Sequence, residues 1–214
     1  MLLLAAAAAT AMACEAQPAR RKGPPFGRDA AAFTPKGWSG ETVSQPDLNA
    51  DGRTDLVVVV RDDEGENRRM TAAVATAKGY RNVGEAELPP YPLGSANVEF
   101  KRSVLVVTDL TGGTTADQTV YRYRYEGPSA MQGAMRFIGM DIGHYSRTNQ
   151  HDSLELSFNW LTGRFSKQVN KLTKRGDYRP LKPVTGKSDP RCVFMEDTEN
   201  PENYVEAELE TDPE

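Results

Sequence analysis

Apolar residues in the middle of the chain recur with the period of β-strands. Every second residue of the segment 154–160 is apolar, and residues 120–125 place three tyrosines on one face and two arginines on the other. Residues 56–60 are a continuous run of leucine and valine, which is typical of a buried strand. The turn-prone residues 62–65 follow, so this strand is expected to enter a hairpin.

Further strands are predicted at 98–100 and 104–107, and Thr162-Gly163 predicts a tight turn before a strand at 164–169. The alanines of segment 70–77 would also suit a helix, but this segment lies between two glycine turns and we expect a strand. About seven or eight strands predict a mainly β protein, either an antiparallel sheet or a sandwich.

Residues 2–13 form an apolar run interrupted only by one threonine. The run suits the core of a signal peptide at 1–13 and is too short to span a bilayer, so we expect export. Ala11-Met12-Ala13-Cys14 fits two processing sites. It is either a signal-peptidase site or a lipobox that makes Cys14 the lipidated first residue, which would anchor the protein in a lipid membrane.

The second cysteine leaves the state of Cys14 open. A Cys14–Cys192 disulfide is the alternative to a lipid, because an oxidising compartment permits it. Glu15 follows Cys14, and on the lipobox interpretation the resemblance to Gram-negative lipoproteins implies the periplasmic face of the outer membrane. On the other interpretation the protein is soluble in the periplasm or secreted.

Composition separates the two ends from the middle. Residues 14–32 are rich in proline, glycine and arginine and predict a flexible tether, whereas residues 193–214 predict an acidic tail. The β-rich domain is expected at 33–192. Its stretch 164–191 is basic, and the acidic tail either stays solvated or lies over this stretch. With 26 Lys+Arg against 30 Asp+Glu, the chain has no overall basic field, and we expect no nucleic-acid partner.

One motif carries a specific chemistry. The segment 47–55 reads D-x-N-x-D-G-x-x-D, in which alternating oxygen donors surround a glycine turn. Calcium binds six or more oxygens, so this spacing predicts a calcium site. The predicted ligands are the side chains of Asp47, Asn49, Asp51 and Asp55 and the backbone carbonyl of Arg53.

The residues after the motif exclude the helix-loop-helix calcium sites. Those sites need an acidic residue at the twelfth position, which is Val58 here, and a helix where this chain predicts a strand. The segment instead resembles the calcium loop of FG-GAP/VCBS repeats, familiar from integrin α-subunit propellers, whose last aspartate leads into a β-strand. No second copy follows, so a full propeller is not expected.

A wider resemblance spans about residues 35–167. It includes Pro35-x-Gly37-Trp38, Phe137-Ile-Gly-x-Asp141 and Leu161-Thr-Gly163-Arg. In this order the motifs resemble uncharacterised bacterial secreted proteins and lipoproteins with a single such loop. The group implies no activity, so only the calcium ligands are carried over.

His144 and His151 form the densest polar cluster, together with nearby aspartate, serine and tyrosine residues. The cluster lies between two predicted strands and suits an exposed loop, although a small secreted hydrolase could use it. The sequence therefore favours a non-catalytic, calcium-stabilised module of the cell envelope. Its partner would be an envelope or extracellular protein or a glycan.

Overall fold

The computed structural model describes residues 21–127 and 133–210, and this part of the chain forms two antiparallel sheets. The first sheet consists of β1 (Phe26–Gly27), β2 (Trp38–Ser44), β3 (Leu56–Asp62), β4 (Arg68–Thr76) and β5 (Gly79–Leu88). The second sheet consists of β6 (Asn97–Lys101), β7 (Val104–Gly112), β8 (Thr115–Glu126), β9 (Ala134–Ser146), β10 (Ser153–Asn159), β11 (Arg164–Leu172), β12 (Tyr178–Pro180), β13 (Val184–Lys187) and β14 (Val193–Phe194). Two 3-10 helices (Ala30–Phe33 and Met195–Asp197) and α1 (Pro201–Glu210) complete it.

The strand orders are β1-β5-β4-β3-β2 in the first sheet and β12-β11-β10-β9-β8-β7-β6 in the second, where β13 pairs with β11 and β14 with β9. The prediction of a mainly β, antiparallel fold that is not a propeller is confirmed. The strands outnumber the predicted seven or eight, because β1, β12, β13 and β14 are only two to four residues long. Such short edge strands have no apolar alternation to reveal them.

The two hairpins predicted from the sequence, at Gly65 and at Gly163, are both found in the structure. Gly65 has φ 73° in the turn between β3 and β4, and Gly163 has φ 71° in the turn between β10 and β11. Segment 70–77 lies mainly in β4, so the strand prediction is confirmed there. Both glycines occupy the left-handed region, where a side chain would be strained.

The main core lies between the sheets and unites apolar side chains of both. Val57 and Val59 of the first sheet belong to the same buried cluster as Tyr121 and Tyr123 of the second. The alternate side chains of β3 face the other way, into a smaller cluster around Phe33 of the first 3-10 helix. Because both faces of β3 are covered, its sequence is a continuous apolar run.

A buried ion triad joins the sheets at the edge of the core. Arg68 of β4 donates to Glu41 of β2 at 2.8 Å and to Asp109 of β7 at 2.8 and 2.9 Å. The Arg68 side chain has no exposed surface. Burial lowers the pKa of the Arg68 guanidinium, but the two carboxylates raise it above its ordinary value, so Arg68 stays charged.

The N-terminal segment packs along β5 instead of forming the predicted tether, as far as the structure describes it. Arg21 donates to Glu196 at 2.5 Å and to the Asn82 carbonyl at 2.7 Å. The amides of Lys22 and Gly23 donate to the Glu85 carboxylate. Residues 1–20, which include the predicted signal peptide and Cys14, lie outside the described residues.

The C-terminal segment also differs from the predicted acidic tail up to residue 210. Met195 is fully buried and Val205 is 5% exposed, and both belong to the main core. Tyr204 of α1 packs against Phe158 of β10. The acidic side chains face basic partners: Lys167 pairs with Glu208 at 2.9 Å and Arg191 with Glu199 at 2.7 Å. No helix in the described part is long and apolar enough to cross a membrane.

Candidate metal centre

The segment 45–55 is the loop that joins β2 to β3 at one end of the first sheet. Asp55 N donates to the Pro46 carbonyl at 2.7 Å and closes the base of the loop. Leu48 is 3% exposed and belongs to the main core, so apolar packing holds the loop from below. The motif is therefore presented at the surface by a rigid pair of strands.

Two positive φ angles reverse the chain inside the loop. Ala50 has φ 56° and Gly52 has φ 80°. A Cβ at Gly52 would meet nothing within 4 Å, so backbone conformation rather than space favours glycine there. This agrees with the turn predicted from the sequence.

Three of the predicted ligands gather around the amides of this turn. Asp47 Oδ2 accepts from Gly52 N at 2.9 Å, and both Asp47 Oδ1 and Asn49 Oδ1 accept from Asp51 N at 3.2 Å. Asn49 Nδ2 donates to Asp51 Oδ2 at 3.0 Å. The side chains of Asp47, Asn49 and Asp51 therefore form one hydrogen-bonded group.

Arg53 places a positive charge on this group. Its Nη2 and Nε donate to Asp51 Oδ2 at 2.5 and 3.1 Å, and its backbone amide donates to Asp51 Oδ1 at 2.9 Å. These bonds from Arg53 lower the pKa of the Asp51 carboxyl to about 2. Asp51 is therefore ionised at neutral pH, and a guanidinium occupies the oxygen that a metal ion would need.

Asp55 has a different environment from the other carboxylates. It is fully buried, with Oδ1 accepting from Ala75 N and Oδ2 from Leu48 N, both at 2.7 Å. Burial raises the pKa of the Asp55 carboxyl; the two amide bonds oppose this, and the charges of Asp51 and Asp47 raise it further. The net effect is a raised pKa, and the carboxylate ties the loop to the end of β4.

The structure thus brings together Asp47, Asn49 and Asp51, while Asp55 is engaged by the amides of Leu48 and Ala75 and Arg53 contributes its side chain. Among residues 21–127 and 133–210, no three Asp, Glu, His or Cys side chains converge as a metal-binding group. The chemistry of the donors still fits a hard cation, because a carboxylate or amide oxygen that accepts one N–H keeps a further lone pair.

No family model, curated protein or solved structure matches this chain. The resemblance to FG-GAP/VCBS loops therefore rests on the motif alone. What the site can bind is argued below from its own residues.

His144 lies within β9 and not in the predicted connecting loop, whereas His151 lies in the turn before β10. Their rings stack with centroids 5.2 Å apart. His144 Nδ1 is 2.7 Å from Asp117 Oδ1, and a carboxylate oxygen assigns the Nδ1 proton to His144. The two histidines are thus close together, as the sequence suggested, but one of them is part of the sheet.

His151 contacts a hydroxyl group. Its Nδ1 donates to the Asp152 carbonyl at 2.6 Å, so in the neutral ring Nε2 accepts from Thr115 Oγ1 at 2.8 Å. These contacts fix the ring in the turn and satisfy both of its nitrogens.

Three concave surfaces formed by described residues lie away from the histidines. A cavity of about 410 Å³ lies beside Trp38 and Arg69, and two depressions of about 590 and 400 Å³ adjoin on the second sheet, where both include Ser157 and Ser166. Neither histidine lines any of the three. The sequence did not predict the depressions, because they depend on which strands become neighbours.

Proposed function

We propose that the protein is an exported, non-catalytic binding module whose β domain is stabilised by calcium at the loop 47–55. The observation that carries the proposal is the gathering of Asp47, Asn49 and Asp51 around the Gly52 turn, directly before a strand with both faces buried. A cation there would offset the repulsion among three aspartates in one short loop.

The Arg53 side chain would leave Asp51 when calcium binds. Its guanidinium and a calcium ion need the same carboxylate oxygen, and the guanidinium is exposed enough to move into water. The backbone of Arg53 would stay in place, so its carbonyl could still act as the predicted ligand.

The stabilisation is expected to be small. Extracellular calcium modules bind at about 10⁻⁴ to 10⁻³ M. At about millimolar calcium this affinity adds about 0.4 to 1.4 kcal/mol to the free energy of unfolding. For a domain of this size the melting temperature should rise by about 1 to 5 °C.

The test compares thermal melting in 1 mM calcium with melting in EDTA. We expect Asp51→Ala to lose the calcium-dependent increase, because it removes a ligand from an exposed loop. Asp63→Ala is the matched control, since it removes one exposed carboxylate from the next turn of the same sheet. An equal calcium response in Asp51→Ala and in the wild type would overturn the calcium site.

The cell-envelope location is also part of the proposal. A lipid on Cys14 would hold the module at the outer membrane, where an envelope or extracellular protein or a glycan is its partner. Cys192 is disulfide-bonded, and the only other cysteine in the sequence is Cys14, which lies outside the described residues. A disulfide supports export to an oxidising compartment, and if its partner is Cys14 the protein is soluble rather than lipidated.

The alternative function, a small secreted hydrolase, has one observation in its favour. The Thr115 hydroxyl contacts His151 at 2.8 Å, which is the distance between a nucleophile and its base. The described cavities nevertheless lie away from this pair, so binding without catalysis is the better supported function.

A further inference from the structure

The solvent-facing side of the second sheet carries a row of short polar side chains. Register places Ser157 opposite Ser166 and Ser166 opposite Thr185, and on the same face it places Asn159 opposite Arg164 and Arg164 opposite Lys187. We call these six side chains the polar groove: Ser157, Asn159, Arg164, Ser166, Thr185 and Lys187. They line the depression of about 590 Å³.

The groove faces away from the core because strand side chains alternate. Leu156 and Phe158 of β10 point into the main core, so Ser157 and Asn159 point outward. Four groove side chains are exposed, and the two serines are half-buried. The volume is in the range of ligand sites in proteins.

Two cations in the groove have no anionic partner. Arg164 and Lys187 are direct cross-strand neighbours, and this arrangement is unfavourable because their like charges repel. Within the described ranges, no carboxylate forms an ion pair with either of them. An external anion would relieve this repulsion.

Two acidic groups of the adjoining depression are already engaged. Asp141, in the adjoining depression, accepts hydrogen bonds from Arg122 and from Ser157, the latter at 2.7 Å. Glu155 accepts from Asn170 at 3.3 Å. The positive end of the groove at Arg164 and Lys187 is therefore not neutralised by its surroundings.

Hydroxyl groups are the other available chemistry. In the part of the chain that the structure describes, the side chains of Ser166 and Thr185 make no hydrogen bond to protein. A serine or threonine hydroxyl both donates and accepts, which matches the hydroxyls of a sugar ring. Cations at one end and free hydroxyls along the groove together suit a chain of sugars that bears occasional carboxylates.

We propose that the polar groove binds an acidic polysaccharide, with Arg164 and Lys187 on a carboxylate and Ser166 and Thr185 on neutral sugar hydroxyls. The proposal rests on the binding function proposed above but not on calcium. A nucleic acid fits less well, because none of the six groove side chains is an aromatic ring on which a base could stack. Phe165 also borders the depression, but it alternates with Arg164 and Ser166 and lies on the same face as Phe158. A membrane surface fits less well, because only two cations lie in the groove.

The experiment measures retention of the protein on immobilised hyaluronan at low salt. We expect the wild type to be retained, and Arg164→Gln/Lys187→Gln to bind about tenfold more weakly because two charged contacts are lost. Lys174→Gln/Arg175→Gln is the matched control, since it removes the same charge from the exposed turn after β11. The control should bind within about twofold of the wild type, because these cations lie outside the groove.

A second variant tests the hydroxyls without changing charge. Thr185→Val keeps the shape and suits an edge strand, and it should weaken binding by about threefold. Thermal melting of each variant shows that it is folded.

Three results would overturn the proposal. The first is that hyaluronan does not retain the wild type. The second is that the control variant weakens binding to hyaluronan as much as Arg164→Gln/Lys187→Gln does. The third is that the wild type binds single-stranded DNA, or vesicles of phosphatidylcholine and phosphatidylglycerol, as tightly as hyaluronan or more tightly. Asp51→Ala should bind hyaluronan like the wild type, because its loop belongs to the first sheet. Failure of the calcium site and failure of the groove are therefore separate outcomes.

Discussion

Asp51 and Asp55 belong to one sequence motif but have different roles in the structure. Asp51 is an exposed carboxylate that contacts its own loop and Arg53. Asp55 is fully buried and accepts one amide on each oxygen, from Leu48 and Ala75. The first suits a metal ligand, whereas the second is a structural carboxylate even without metal.

Asp55→Ala should destabilise the protein in EDTA as well as in calcium. It leaves the buried amide of Leu48 without an acceptor, which costs about 1 to 3 kcal/mol, and it removes the acceptor of the half-buried Ala75 amide as well. Urea unfolding in EDTA measures this loss. Asp51→Ala is the control and should unfold near the wild-type midpoint in EDTA; if the two variants lose the same stability there, Asp55 has no separate structural role.

The motif predicted the loop, but the burial of Asp55 could not be predicted from it. The ligand spacing and the Gly52 turn are local, so residues 47–55 contain the information. The amide of Ala75 is 20 residues away and reaches Asp55 only because β4 pairs with β3. The guanidinium contact between Arg53 and Asp51 was likewise missed, although the two residues are only two positions apart.

At the scale of elements, the ion triad joins β2 and β4 of the first sheet to β7 of the second. Arg68 lies between Glu41 and Asp109, and the three side chains are almost completely buried. A buried group of this kind stabilises little relative to an apolar replacement, but removal of one member leaves the others uncompensated.

Arg68→Met should lower the free energy of unfolding by about 3 to 5 kcal/mol, because it leaves two buried carboxylates without a cationic partner. The triple variant Arg68→Met/Glu41→Gln/Asp109→Asn should recover much of this loss in urea unfolding. Arg61→Met, at the exposed position that pairs with Arg68 on β3, is the control for loss of charge. A loss in the triple variant as large as in the single variant would show that the charges are not responsible.

Helix α1 contains four glutamates in its ten residues, and this acidic composition concealed it. The second sheet is wider than the first, so α1 is needed to cover Phe158 and Trp160. Pro201 and Val205 are buried and Tyr204 and Glu208 are half-buried, so the covered face has helical spacing but is only partly apolar. The strands of the core were predicted because alternation repeats over many residues.

Acidification should detach helix α1 from the second sheet by protonating Glu199. Burial raises the pKa of the Glu199 carboxyl, but hydrogen bonds from Tyr204 at 2.5 Å and Arg191 at 2.7 Å lower it more, to a value below the ordinary 4.5. Because the folded pKa is lowered, this contribution to stability is present above pH 4.5 and is lost as pH falls through the lower folded pKa.

Tryptophan fluorescence measures this release, since Trp160 lies 6.2 Å from Tyr204 and under the Arg191 guanidinium. Glu199→Gln should reduce the fluorescence change between pH 5 and pH 3, roughly the range in which a lowered carboxyl titrates. Asp197→Asn, at an exposed position nearby, should leave it unchanged. An unaltered acid profile in Glu199→Gln would remove this assignment.

For the whole molecule, the state of the cysteines decides whether the module is anchored. A lipid on Cys14 and a disulfide between Cys14 and Cys192 are mutually exclusive products of this chain. The intact mass of the mature protein distinguishes them, because the disulfide form is two hydrogens lighter than the reduced chain. A diacylglyceryl adduct on Cys14 would instead establish the lipoprotein.

The alternation that places the polar groove outside the core also separates two kinds of mutational tolerance. Leu156 and Phe158 are constrained by packing, whereas Ser166 and Thr185 point outward and make no side-chain hydrogen bond among the described residues. Substitutions at the outward positions can therefore change what the sheet recognises at little cost in stability. The second sheet is a suitable scaffold for a combinatorial library in which binding specificity is varied while the fold is left intact.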